Sequence, residues 1–199
     1  MRKFILLVGL IVFLTPMVVS ANSLEEELAY ESTLPDCNIK NNNIISSDAC
    51  FAKDFGLSKS YTGEFKNYQR NGYGIDTKEK YSGFWKDDLW HGEGILEKND
   101  GIYSGGFDNG LFYGDGKFIY NDGIILDGYW RFNSLINGKI YYQDTFIAKI
   151  DETGLITYFD ENTEIAKDQN WGFKYDDMDQ IKRFKKSINL SLNFVENDL

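Results

Sequence analysis

Five carboxylates, Asp87, Asp88, Glu93, Asp108 and Asp115, fall along one stretch of chain, with the single histidine, His91, among them. Two carboxylates about 5–10 Å apart can share acid and base roles in glycoside cleavage. A tighter set of oxygen ligands can hold Ca2+. The spacing favours neither chemistry: no EF-hand-like alternation is present, and an acidic chain scatters carboxylates widely. A general base needs an oriented partner and a nucleophile, and no Gly-x-Ser-x-Gly motif occurs, so His91 reads as a bend residue. The only two cysteines are Cys37 and Cys50. With one histidine they are too few for a metal centre, and in an exported chain an even count reads as one disulfide. In the chain-entropy model such a loop contributes about 3 kcal/mol. No catalytic residue, metal or cofactor is expected, and the chain is expected not to be an enzyme.

The elements that position these residues come from a repeat. Tyr, Gly two residues on, Phe or Trp two further, then Gly-x-Gly seven beyond the aromatic, occurs three times. The copies are Tyr61, Gly63, Phe65, Gly72, Gly74; Tyr81, Gly83, Trp85, Gly92, Gly94; and Tyr103, Gly105, Phe107, Gly114, Gly116. A repeated period of this length means a stacked array rather than a single globular core. Alternate residues of a strand share a face, so each copy predicts a β-hairpin, with Lys86–His91 as the bend in the second. Asn99-Asp100-Gly101 and Asn121-Asp122-Gly123 join the hairpins, with glycine expected to supply positive φ. Glycine inside a strand costs roughly 0.5–1 kcal/mol relative to alanine. Burying a ring over the hole it leaves contributes about 1.5–3 kcal/mol, so the glycines read as packing sites.

Tyr-x-Gly-x-(Phe/Trp)-x6-Gly-x-Gly resembles the MORN repeat. The resemblance covers residues 61–116, with a degenerate fourth copy at Leu126, Gly128 and Trp130, where Leu replaces Tyr and the later glycine moves to Gly138. It implies an all-β fold: an elongated single-layer antiparallel sheet of tandem hairpins. It says little about activity, because MORN proteins include scaffolds, lipid-associated proteins and domains appended to enzymes. The segment bearing Cys37 and Cys50 also resembles the one that precedes repeats in exported bacterial MORN proteins.

Around the repeats the chain divides as follows. Residues 1–21 have the layout of a secretory signal peptide: Arg2 and Lys3, an apolar run from Phe4 to Leu14, and small residues at Val19-Ser20-Ala21. Residues 22–58 are a disulfide-bearing lead-in, 59–142 the repeats, 143–170 a degenerate hairpin cap with Phe146, Ala148 and Ile150 on one face, and 171–199 an amphipathic helix and tail. In that last segment Ile181, Phe184, Ile188 and Leu192 line one side, and Lys182, Arg183, Lys185 and Lys186 the other.

The charge is −10, from 21 Lys plus Arg against 31 Asp plus Glu. Removing Arg2 and Lys3 with the signal leaves 19 against 31, or −12. Such a chain repels phosphate backbones, so no nucleic acid is expected. The aromatic ladder Tyr61, Phe65, Tyr81, Trp85, Tyr103, Phe107 and Trp130 is the candidate partner-binding face. The expected function is an exported, periplasmic or extracellular, non-catalytic interaction or scaffold protein. Peripheral lipid binding by the basic helix and a glycan-directed role are the alternatives.

Overall fold

The computed structural model describes residues 32–160, 163–169 and 173–174. The signal segment at 1–21 and the expected helix bearing Ile181, Phe184, Ile188 and Leu192 lie outside the described residues. Two short strands, β1 (Ile39–Lys40) and β2 (Asn43–Ile44), form a small ladder of their own. The remaining strands are β3 (Cys50–Phe55), β4 (Tyr61–Lys66), β5 (Gln69–Asp76), β6 (Tyr81–Lys86), β7 (Leu89–Lys98), β8 (Gly101–Asp108), β9 (Leu111–Tyr120), β10 (Ile124–Arg131), β11 (Ser134–Tyr142), β12 (Thr145–Ile150), β13 (Leu155–Asp160), β14 (Thr163–Gln169) and β15 (Phe173–Lys174). From β3 to β14 they pair antiparallel in sequence order, one continuous meander, and β15 returns to pair with β11. The described residues hold strands and turns only, as the repeat predicts.

Register explains the glycines. Gly63, Gly74, Gly83, Gly94, Gly105, Gly116, Gly128 and Gly138 pair in turn across β4–β11. This glycine row runs perpendicular to the strands, over roughly 34 Å at about 4.8 Å per strand. Ala52 continues it on β3 and Ile150 on β12. In the three clear hairpins the two row glycines meet different neighbours first, although the tyrosine hydroxyl also lies close to the first of each pair. A Cβ on Gly83 would lie 2.5 Å from the Gly94 Cα, and Gly63 and Gly105 are as close to the strands opposite. A Cβ on Gly74, Gly94 or Gly116 would instead overlap the ring and hydroxyl of Tyr61, Tyr81 or Tyr103.

The remaining motif glycines, Gly72, Gly92 and Gly114, are not packing sites. Between Gly83↔Gly94 and Trp85↔Trp90, three residues of β7 (His91–Glu93) oppose Phe84 alone, and the same happens at Glu64 and Gly106. The middle residue of each bulge is a glycine at φ +99°, +68° or +85°, a region costly for other residues. The fourth hairpin keeps only one extra residue, Ile136, and needs no such glycine.

Several expectations are corrected. The second bend is only Asp87-Asp88, both at positive φ in a two-residue turn, because Leu89–His91 already belong to β7. Gly101 does not supply positive φ. It is required because a Cβ there would run into the Ile119 carbonyl, whereas Gly123 does turn at φ +89°. The cap has three strands, β12–β14, rather than one hairpin. A bulge at Ile147 separates Phe146 from Ala148 and Ile150, sending its ring to the other face against Tyr141 and Phe159. Within 171–199, Phe173–Lys174 is strand, pairing with Ser134–Leu135.

Cys37 and Cys50 form the expected disulfide, with Cα atoms 4.8 Å apart. It ties Pro35–Cys37 along the free side of β3, where Cys37 N donates to the Phe51 carbonyl and Phe51 N to that of Pro35. The lead-in thus covers an edge that would otherwise invite pairing with other chains.

Candidate partner-binding surface

All seven ladder rings are interior. Tyr61, Phe65, Trp85 and Phe107 are 3% exposed and Tyr81, Tyr103 and Trp130 0%. The ladder is therefore corrected from a docking face to the core. Its rings meet edge to face in series: Phe65–Tyr61, Tyr61–Trp85, Trp85–Tyr81, Tyr81–Phe107, Phe107–Tyr103 and Tyr103–Trp130, with centroids 5.1–5.5 Å apart. That geometry suits the ring quadrupoles. Polar tips are satisfied by the backbone that the bulges leave open. Tyr61, Tyr81 and Tyr103 donate their hydroxyls to the carbonyls of Glu64, Phe84 and Gly106 at 3.3, 2.8 and 3.1 Å. Trp85 and Trp130 donate Nε1 to Gly74 and Gly116 at 3.1 and 2.8 Å. Burial pushes all three tyrosine hydroxyls well above their usual range.

A further motif position completes this core. Two residues before each bulge glycine stand Arg70, Trp90 and Phe112. Trp90 stacks on Tyr81 with centroids 5.1 Å apart, and Phe112 on Tyr103 at 3.6 Å, nearly parallel. Arg70 lays its guanidinium 3.9 Å from the Trp85 ring centre and 5.7 Å from that of Tyr61. Asp88, Asp76 and Glu79 surround it at 3.2, 3.4 and 3.5 Å. The signal lay in the constant five-residue spacing after Phe65, Trp85 and Phe107, obscured by three different side-chain types.

The opposite face carries the exposed chemistry. Bulges re-aim side chains, and here they line up one residue per strand: Glu64, Tyr73, Phe84, Glu93, Gly106, Asp115, Tyr129 and Asn137. Phe84 is 49% exposed and Tyr129 41%, and Glu93 and Asp115 are exposed. Tyr73 and Phe84 meet edge to face at 5.8 Å, and Tyr113 and Tyr129 at 6.1 Å. A hydrogen bond with Tyr113 holds the Tyr129 hydroxyl above its usual pKa. At the hairpin tips, Tyr68 and Phe132 hold positive φ while 59% and 65% exposed, a strained placement for large side chains.

The carboxylates first considered for acid–base work are not brought together. Asp88 belongs to the Arg70 clamp, Asp87 to the turn, and Glu93 and Asp115 to separate strands of the outer row. Asp108 stands beside His91, Oδ1 to Nδ1 3.3 Å, without a hydrogen bond at that nitrogen. Among the described residues no group of three or more His, Cys, Asp or Glu could hold a metal ion.

The MORN repeat family model matches residues 61–75, 81–102 and 103–125. No curated protein matches the chain. The matched segments are those in which tyrosine covers the glycine row and a glycine turns each bulge, so the chain is a MORN repeat protein.

Proposed function

We propose that this MORN repeat protein is an exported, non-catalytic interaction module that binds a protein partner through the outer row rather than through its ladder. One observation carries the reading: a hairpin array able to bury seven rings of one face completely leaves Phe84, Tyr113 and Tyr129 exposed on the other. Exposed rings of this kind, rimmed by polar groups, mark interaction surfaces. The disulfide supports an oxidising, extracytoplasmic setting, as does the basic and apolar N-terminal run.

Affinity capture from the source cells with the full chain tests the proposal. The Phe84→Ala/Tyr129→Ala variant is expected to lose a captured partner while keeping the wild-type melting temperature. Retention of every partner by that variant would refute the outer row as the binding surface. Recovery of anionic lipid in place of protein would favour the peripheral lipid reading.

A further inference from the structure

We propose that the outer face between Phe84 and Tyr129 receives a cationic segment of a partner polypeptide, its guanidinium or ammonium groups lying against the exposed rings and between Glu93 and Asp115. This inference rests on the outer row being the partner surface. Glu93 and Asp115 project from β7 and β9, two strands apart, or about 10 Å. Between them on β8 is Gly106, where the Tyr113 carbonyl takes the place a Cβ would occupy, so no side chain stands between the two carboxylates. Neither carboxylate forms an ion pair among the described residues. Lys117, two residues along β9 from Asp115, is already paired with Asp127 at 3.0 Å. Phe84 and Tyr129 flank the two carboxylates along the row, and Arg131 lies two residues beyond Tyr129.

The same molecule shows how such surroundings hold a cation. Arg70 is seated on the Trp85 ring with three carboxylates around it. Rings and carboxylates together select a cationic group, arginine above all, because its flat guanidinium stacks on a ring while its edge binds carboxylate. The net charge of −10 steers such a segment toward the chain. An anionic or purely apolar partner would leave Glu93 and Asp115 desolvated and unpaired, which costs binding.

The test is titration of the full disulfide-intact chain with a nona-arginine peptide at low and high salt. Each variant is first shown to keep the wild-type melting temperature. Wild-type protein is expected to bind, more weakly as salt rises. Glu93→Gln/Asp115→Asn should weaken binding roughly tenfold, and Phe84→Ala/Tyr129→Ala about threefold or more. Asp122→Asn/Asp144→Asn, which removes the same charge from turns, should stay within about twofold. Equal losses in the turn variant would mean net charge alone and would overturn the proposal, as would no binding at low salt. Binding that appears only after Lys182, Arg183, Lys185 and Lys186 are replaced by glutamine would show the chain's own basic run occupying the face, and would also overturn it. If nona-arginine ignores the row while a captured partner still depends on Phe84 and Tyr129, the interaction reading stands and only the cationic assignment falls.

Discussion

Strands β4–β9 and strands β10–β13 solve one packing problem with different side chains. In the first region a tyrosine lies over each paired glycine and is backed by Arg70, Trp90 or Phe112. In the second, Leu126, Leu135, Ile140, Ala148, Ile150 and Ile156 fill the same face at 0–2% exposure. Glycine persists at Gly128 and Gly138, but there a Cβ would strike the backbone of the facing strand first rather than a ring. The register is common to both regions, and the ring is the part that can be exchanged. This separates two demands that the motif merges: close approach of neighbouring strands, met by the first glycine of each hairpin, and a seat for tyrosine, met by both and by the second foremost.

The comparison is broken most severely by removing a ring. Phe112 is 1% exposed, stacked on Tyr103 and in contact with Trp130. Phe112→Ala should destabilise by about 4 kcal/mol in chemical denaturation, near the middle of the range for buried aromatic truncation. Leu135→Ala in the aliphatic region should cost less, about 3 kcal/mol.

Adding volume distinguishes the faces within one strand. Gly83→Val drives a side chain into the Gly94 backbone, which cannot swing aside, and should cost about 3 kcal/mol. Ser82→Val loses the 2.8 Å hydrogen bond to the Tyr73 hydroxyl and should cost about 1 kcal/mol. Equal melting temperatures would contradict the glycine row.

Alkaline titration sharpens the contrast between tyrosine and aliphatic regions. Tyr61, Tyr81 and Tyr103 are held neutral by burial, with folded values above the unfolded value of about 10. Their contribution is complete below the unfolded value and is lost as pH rises from there through the folded values, because only the unfolded chain ionises in that window. Stability should fall steeply above about pH 10, and less steeply in Tyr81→Phe. That variant also loses the hydrogen bond to the Phe84 carbonyl, worth about 1 kcal/mol.

The smallest effect concerns how turns close. Repeat tips are linked by backbone hydrogen bonds, as from Asp88 N to Arg70 O and Gly110 N to Trp90 O. The β12–β13 turn instead relies on Asp151, whose Oδ1 accepts from the Thr153 hydroxyl, Thr153 N and Leu155 N. Those bonds, the Thr153 hydroxyl foremost, hold its carboxyl below the usual range. Its contribution is present above the unfolded carboxylate value of about 4 and is lost as pH falls through the folded one. Asp151→Asn should lower the melting temperature slightly at pH 7 and not in acid.

The hairpin array, the disulfide and the seating of rings on glycine were legible in the sequence, because Tyr, Gly and the following aromatic share a strand face and recur in register. Burial of the ladder was not legible: alternation shows which residues share a face but not how completely they cover one another. Bulges hid most of the rest. Three residues opposing one at Phe84 add two and keep the two-residue period, so Trp90 stays on the face of Gly94 and Glu93 on the other. What alternation did not announce is that Gly92 turns the bulge. One extra residue at Ile147 does shift the period and moved Phe146 away from Ala148. Arg70, Trp90 and Phe112 occupy one position yet share no chemistry except the ability to lie flat on a ring.

The central claim is that a tyrosine ring is the reason for the second row glycine of each clear hairpin. A double-mutant cycle on Gly94 and Tyr81 tests it directly, since coupling energies isolate a pairwise contact. In the wild-type background Gly94→Ala should cost about 2 kcal/mol, because its Cβ would overlap the Tyr81 ring. In a Tyr81→Ala background the same substitution should cost nearly nothing. An equal cost in both backgrounds would show that the glycine serves the backbone alone and would contradict the account.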